Sequence, residues 1–576
     1  MDQKSKSSFI AKQKRKHQYQ LLLVVIGFIF IVLGSLWIHV QSDWTTDKRY
    51  SITPTTKTLL KEVKQPIHIE VFLAGDDLPA AFKRLSKSAE VLLSQFRSIS
   101  NNNITYSIID PLDDSSEEAL QKLNHFKMSG IPVTIDAGKK GTAQRMVFPW
   151  ALVAMQNQEG EVQYRPVFLQ ETNTPNLSRA ILNKSEILLE YNFAQAIDDL
   201  TETEKAGVGY LTGNGQPFGY ELIGLLGEIG QYYHLDTLNL QSTVQIPKDY
   251  KTIVVNQPTE EFSEVDKFKL DQYLMHGGQI VWNVNGVTGN LDSLQMTGQY
   301  NSMPVDLNLS DLFFHYGFRV NQVIVVDALN HVMIPLAPQG FEQAEHAMFP
   351  WIYYPILETN KEHPMGQQIT GVLGRFVSSI DFNENDPNII KTPILVSSRY
   401  TKAIAVPAPV QLESAMEQLN EAQYNMGVQT VGALFEGRMQ SFYSRRQPQE
   451  VQDFIAQHQL QIKSSSDVDN KMFVAADGSL FLNAFSEQNG PSEMGIFRYS
   501  DFRFDNKVLL NNIMTYFNRG EQLLGARSKN FDIRLLDPQT VKKDRTKMQW
   551  LNIAIPILVY IIFAGVWFFI RRKKYS

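Results

Sequence analysis

Val208–Tyr233, VGYLTGNGQPFGYELIGLLGEIGQYY, reads as a buried strand, a glycine-rich turn and an apolar helix, in that order. The strand is Val208–Thr212, the turn Gly213-Asn214-Gly215-Gln216-Pro217 and the helix Tyr220–Tyr233. The alternation continues downstream. Thr252–Asn256 is a β-branched run of strand length. Ser263 then caps a helix with Asp266 three residues on, Gly277-Gly278 closes it, and Gln279–Asn283 is the next strand. Strands and helices at this spacing predict an α/β fold with a parallel sheet covered on both faces. Further strands are expected at Val323–Asp327, Ile394–Ser397, Val431–Phe435 and Met472–Ala476. A helix over Asn506–Phe517 places Leu509, Ile513 and Tyr516 on one stripe with Leu510, Met514 and Phe517 beside it. Residues 331–470 mix strands and loops with one expected helix near Gln411–Gln423.

Upstream, the chain alternates again. Ile67–Leu73 is a strand, and Pro79–Ser98 a helix with Phe82, Leu85, Ala89, Leu92 and Phe96 on one side. Ile104–Asp110 is a second strand and Ser116–Phe126 a second helix. Gly130-Ile131-Pro132-Val133 opens another strand, and a hairpin through Gly138–Gly141 leads into Arg145–Met155. This βαβαββ order, with a proline opening the fifth element, predicts a thioredoxin-like core and a cis Ile131–Pro132 bond. Without a C-x-x-C motif such a domain is a scaffold or docking surface. Thr53 and Pro54 read as the N-cap and first residue of a short helix through Leu60. A helix from about Leu177 to Leu200 reads as a link to the next unit.

Both ends are apolar. Leu21–Val40 and Leu551–Ile570 lack any formal charge and are each long enough to cross a bilayer. Lys4, Lys6, Lys12, Lys14, Arg15 and Lys16 precede the first span, so the positive-inside rule puts the N-terminus in the cytoplasm. A second span returns Arg571–Lys574 to the same side. A cleaved signal peptide is the rival reading of the first span, whose apolar run is longer than such peptides carry. The whole chain carries −6; its basic tails contribute +5 and +4, which leaves −15 between them. That balance argues against nucleic acid, and the absence of cysteine excludes disulfides, thiolate metal sites and a cysteine nucleophile.

Motifs for chemistry are weak. Gly213-Asn214-Gly215 lies where a phosphate-binding turn would lie, but it runs on to Gly219 as G-x-G-x-x-x-G and lacks the Lys and Ser/Thr of a P-loop. A tight strand-to-helix turn is the plainer reading. The histidines are scattered without H-x-H or H-E-x-x-H, and no G-x-S-x-G occurs. Asp327, Glu436 and Asp477 stand at predicted strand ends, where α/β sites gather but where carboxylates also cap turns. No catalytic, cofactor or metal residue is assigned. Gly213, Asn214, Gly215 and Gln216 are kept as a candidate ligand or partner turn.

Five stretches carry a resemblance: DKRYSITPTTK at 47–57, FLAGDDLPAAFKRL at 72–85, YLTGNGQ at 210–216, LFEGR at 434–438 and WLNIAIP at 550–556. They resemble the GldG family of gliding-motility proteins over essentially the whole chain, anchors included. The resemblance implies an auxiliary subunit of an ABC transporter, partnered by a multi-span permease and a separate cytoplasmic ATPase. It also implies a link to gliding in the Bacteroidetes, whose motility is tied to a protein secretion route. It further implies a central unit similar to class I glutamine-amidotransferase sheets, whose cysteine nucleophile this chain lacks. No cofactor is implied, and no ligand-contacting residue carries over.

The expected organisation is a cytoplasmic basic tail (1–20), a transmembrane helix (21–40), a thioredoxin-like domain (45–160) and a linking helix region (161–204). An amidotransferase-like domain follows (205–330), then a mixed insert (331–470), the return to the α/β domain (471–535), a second span (551–570) and a tail (571–576). Residues 41–550 are expected in the periplasm of a bacterial inner-membrane protein. The leading function is a non-catalytic auxiliary subunit; a solute-binding component is the alternative, and a tethered enzyme using the strand-end carboxylates a third. Expected contacts are the permease, the ATPase, membrane lipid, and an envelope protein or unidentified solute. Lys48 and Arg49 in the juxtamembrane Thr45–Arg49, with Lys542, Lys543, Arg545 and Lys547, form the candidate permease-proximal surface; a solvated charge run is the competing reading.

Overall fold

Alternating burial defines the first sheet. The computed structural model describes residues 26–27, 51–525 and 538–575, apart from 114–115, 137–141, 158–159, 172–178, 203, 337–346, 385, 487–489 and 501. Its N-terminal lobe has strands Ile67–Val71 (β1), Ile104–Ile108 (β2), Ile131–Asp136 (β3), Thr142–Val147 (β4), Trp150–Gln156 (β5) and Val162–Phe168 (β6). Ile67, Ile69 and Val71 of β1 face inward at every second position. The sheet order is β2-β1-β5-β6, with β1 and β2 parallel and the other pairs antiparallel. The helix Ala80–Ile99 covers it through Phe82, Leu85, Ala89, Leu93 and Phe96. Leu93, not Leu92, holds the central position, because three- and four-residue steps from Ala89 and Phe96 meet there. Thr53 caps the helix Pro54–Glu62 as expected, accepting from Thr56 N–H.

Three expectations change here. The Ile131–Pro132 bond is trans; among the described residues the cis bond is Val406–Pro407. Pro132 is the second residue of β3, opposite Met146 in a hairpin lying off the four-stranded sheet, and its extended partners accommodate the ordinary isomer. The hairpin's turn falls outside the described residues. Arg145–Met155 is two strands, divided at Phe148-Pro149, since Pro149 has no N–H for a ladder. Finally, the 161–204 stretch carries β6 and the helix Arg179–Thr201, which is a shared wall. Its Leu189, Phe193, Ile197 and Leu200 enter the N-terminal core, while Tyr191 and Ala194 enter the next.

The central sheet has Gly207–Thr212 (β7), His234–Asn239 (β8), Tyr250–Asn256 (β9) and Gln279–Asn283 (β10). The order is β8-β7-β9-β10 and then Asn470–Ala475, all parallel. Val208, Tyr210, Val254, Val281 and Phe473 join one core with the helices Ile223–Tyr232 and Asn506–Asn518. Leu211, Ile253, Val255, Ile280, Trp282 and Val474 join another with Glu264–Met275 and Ser310–His315. Both faces are therefore covered, as parallel strands require.

Beyond Asn470–Ala475 the sheet turns antiparallel through Thr430–Gly437, Ile390–Val396, Ala347–Thr359 and His331–Leu336. Much of the 331–470 region thus extends the same sheet. The helix expected near Gln411–Gln423 is instead two 3-10 turns, Leu412–Met416 and Glu421–Gln423. Ala415 and Tyr424 both bury in one cluster, whereas nine α-helical steps of about 100° would set them on opposite sides.

His363 joins this extension to the helix Asn506–Asn518. Its Nδ1 accepts from Met365 N–H at 3.2 Å, and its ring meets Tyr516 edge-on at 5.1 Å. Burial, then nearby Lys471, lowers its pKa to about 4 from 6.5. The unfolded chain therefore binds this proton more readily than the fold. Stability from His363 is complete above about pH 6.5 and is lost as pH falls toward 4. His363→Asn, which keeps an acceptor, is expected to remove about 1–2 kcal/mol of the acid-induced loss in urea unfolding between pH 7 and 4.5. An unchanged pH slope refutes this assignment.

A separate unit carries the helix Pro538–Tyr575. Within it Gln549–Lys573 is long and apolar enough to cross a membrane. The expected first span, Leu21–Val40, lies outside the described residues except for Ile26 and Gly27.

Candidate functional site

β7 leads to β8 on one side while β9 lies on its other side, so the carboxyl ends of β7 and β9 form the topological switch point where α/β proteins bind ligands. Gly213–Gln216 leaves β7 at this place. Gly213 and Gly215 adopt φ of 106° and 70°, the left-handed region that suits glycine. Between them Asn214 is buried and bonded on every side. Its carbonyl accepts from Thr259 N–H (3.0 Å) and Glu260 N–H (3.1 Å), its N–H donates to Gln216 Oε1 (2.7 Å), and its Nδ2 donates to the Glu261 carbonyl (3.3 Å). Thr259 Oγ1 donates to the Gly215 carbonyl at 3.0 Å, and a Cβ on Gly215 would collide with that hydroxyl.

The crevice is therefore filled by the loop after β9. Helical structure begins only at Tyr220, with the α-helix from Ile223, so free helical N–H groups do not meet the turn. What the turn offers outward is apolar. Phe218 and Tyr220 are 67% and 62% exposed, Ile223 is exposed beside them, and Tyr220 stacks on Phe485 at 5.1 Å.

The strand-end carboxylates are each absorbed locally. Asp327 Oδ1 accepts from Leu329 N–H, Asn330 N–H and Ser398 Oγ, and Oδ2 from Ser398 N–H, all within 2.9 Å. Asp477 accepts from Ser479 N–H and Oγ and from Arg375 N–H; burial raises its pKa. Glu436 accepts from Tyr516 Oη at 2.8 Å. Of the basic candidates, Lys48 and Arg49 lie outside the described residues, and Lys542, Lys543, Arg545 and Lys547 fall on Pro538–Tyr575, ahead of its apolar part. Among the described residues no group of His, Cys, Asp and Glu is arranged to hold a metal.

Sequence reasoning placed the helix Glu264–Met275, capped by Ser263 as expected, but missed what its charges do. Four charged side chains within two turns, Asp266, Lys267, Lys269 and Asp271, are all buried. Lys267 is chelated by Glu264 (2.6 Å) and Asp311 (2.9 Å). Asp271 receives Tyr316 Oη and Phe442 N–H at 2.7 Å, Ser441 Oγ at 2.6 Å and Gln272 Nε2 at 3.0 Å. Beside this helix, at the amino ends of β9 and β10, opens a cavity of about 530 Å3. Its lining comes from the loop before β9, the start of β9 and the helix Glu264–Met275, closed by the distant Leu460 and Gln461, and no known motif joins them.

Comparison with known proteins decides the family. Residues 205–513, which include β7–β10 and the antiparallel extension, match the model described as an ABC-type uncharacterized transport system. The chain belongs to this family of transport-system auxiliary components. Such a family is not a catalytic one, and membership associates the chain with an ABC transporter complex. Residues 46–154 match a domain of unknown function. An uncharacterized protein of Borreliella burgdorferi (strain ATCC 35210 / DSM 4680 / CIP 102532 / B31) is 21% identical over 452 residues, 75% of this chain and 80% of its own. Among solved structures, the mmIFT52 N-terminal domain aligns over 57% of this chain and 100% of its own at 14% identity. Its TM-score of 0.30 is too low to support a fold argument.

Proposed function

We propose that the chain is a non-catalytic, membrane-anchored auxiliary subunit of a GldG-type ABC transporter complex required for gliding motility. Membership of the auxiliary family carries this reading. The apolar helix Gln549–Lys573 supports an anchor in the cytoplasmic membrane. With a first span at 21–40, both termini are cytoplasmic and 41–550 periplasmic. The partners are a multi-span permease and a separate ATPase. Lys48, Arg49, Lys542, Lys543, Arg545 and Lys547 face the permease or lipid headgroups. Gly213–Gln216, with Phe218 and Tyr220 exposed next to it, serves a protein partner better than a ligand, since the Asn214 backbone and Nδ2 and the Gln216 Oε1 are already bonded.

In this reading 45–160 is a thioredoxin-like scaffold, supported by the β2-β1-β5-β6 order with β1 and β2 parallel. The amidotransferase-like assignment of 205–330 and 471–535 is supported by the five parallel strands. Tagged full-length protein in mild detergent is expected to bring down a permease and an ATPase at stoichiometric levels, and removal of Gln549–Lys573 to abolish this. A truncated protein that keeps both partners, or a full-length protein isolated alone, overturns the reading. Deletion of the gene is expected to stop colony spreading, restored by the full chain only. The second reading, a solute-binding component, is favoured by the cavity beside Glu264–Met275, whose volume suits a small ligand.

A further inference from the structure

The two lysines of Glu264–Met275 that lie two positions apart are treated differently. Lys267 has two carboxylates within 2.9 Å. Lys269 is 7% exposed, donates to one carbonyl, that of Leu240, at 2.7 Å, and sits 4.9 Å from the centroid of the Phe454 ring. Its single carboxylate neighbour within 4 Å among the described residues is Asp266 at 3.9 Å, beyond hydrogen-bonding reach and itself bonded to the Ser263 hydroxyl at 2.8 Å. An ammonium has three donors and is costly to bury unpaired. Lys269 is also the one that lines the 530 Å3 cavity.

The rest of the lining follows the same sign. Lys248, Lys251 and His276 join Lys269, and no carboxylate is among the lining residues, although the chain between the tails is strongly acidic. Lys251 is engaged, donating to the Asn518 carbonyl at 2.6 Å, whereas Lys248 is exposed on the loop at the rim. Between these charges Ile246, Pro247, Phe268, Tyr273 and Leu460 supply apolar wall, interrupted by Gln245, Gln272 and Gln461. An ammonium whose one carboxylate neighbour lies at 3.9 Å would gain from a closer anion, and the apolar part of the wall suits an anion that carries an apolar body.

We propose that this cavity binds a small organic anion, a carboxylate or phosphate head on an apolar body, with Lys269 and Lys248 receiving the head. The inference names the ligand class for the solute-binding reading and does not depend on the transporter complex, since co-purification of partners and occupancy of the cavity are measured separately. The test is calorimetric titration of full-length protein in a non-ionic detergent with phenyl phosphate, benzoate and the uncharged benzyl alcohol. At least one of the two anions is expected to saturate below about 10 mM, and benzyl alcohol not to. Lys269→Met is expected to weaken binding by about tenfold or more, and Lys248→Glu, an exposed change that leaves the fold intact, by a similar factor. Lack of saturation with both anions, equal binding of benzyl alcohol, or unchanged affinity in Lys248→Glu overturns the proposal.

Discussion

Arg519→Met is expected to lower the unfolding free energy by about 3–5 kcal/mol. Arg519 follows the helix Asn506–Asn518, its side chain is 6% exposed, and its guanidinium meets two carboxylates of Arg179–Thr201 and a third, Glu202, just past its end. It pairs with Asp198, with Asp199 at 3.1 Å and with Glu202 at 3.1 Å. Asp199 keeps Arg165 as a partner when the guanidinium is removed; Asp198 and Glu202 have no second basic partner within 4 Å among the described residues. The loss is that of one buried guanidinium serving three carboxylates, of which Asp199 is buried, Asp198 half-buried and Glu202 at the surface, and so exceeds that of a surface pair. Burial already raises the pKa of Asp198 and Glu202 despite the arginine. Without it they rise further, the fold binds protons more readily than the unfolded chain, and stability returns as pH falls through the raised values. Urea unfolding of the full-length protein should show a deficit that is largest at pH 8 and shrinks toward pH 5. Arg519→Lys should recover part of it, since an ammonium cannot fork across three carboxylates. A deficit below about 1 kcal/mol, or one independent of pH, refutes the clamp.

Asp271→Ala is expected to cost a similar amount, about 3–5 kcal/mol, by a different route. The carboxylate organises donors from Tyr316, Ser441 and Phe442, none near it in sequence. Burial raises its pKa, and the hydrogen bonds pull the other way. Alanine leaves those donors buried without an acceptor. Asp271→Asn keeps one oxygen and should be milder. The damage should be local as well as global: hydrogen exchange should accelerate in 438–466, where the helix Gln449–His458 packs on Glu264–Met275 through Phe268, Tyr443 and Val451. Uniform acceleration across the sheet would instead mean that Asp271 is an ordinary core position.

Which parts could be read from sequence follows from where the information sits. β7, β9 and β10 announce themselves as apolar runs because both their faces are buried. β8, His234–Asn239, does not: it is an edge strand with only Leu238 buried, and HLDTLN has no strand signature. Ala347–Thr359 was hidden by Pro350 and Pro355, which within a run of residues argue against a strand. The charges of Glu264–Met275 look solvated until Asp311, Tyr316 and Ser441 are brought beside them by the fold. At the switch point the glycines revealed a turn, but its closure by Thr259–Glu261 is a long-range fact. The cavity's lysines come from three separate elements and share no spacing.

The place of Asn470–Ala475 has a further meaning. It is nearly the last strand in the chain and yet sits mid-sheet, hydrogen-bonded to β10 on one side and Thr430–Gly437 on the other. During synthesis β10 must wait, with its ladder groups open, until every residue from Val284 to Lys471 has emerged. Long-range parallel pairing of this kind is slow to form, and an open edge invites pairing with other chains. The parallel and antiparallel halves are thus joined by a keystone delivered late, so truncation before Asn470 should leave an aggregating remnant, not a smaller folded domain.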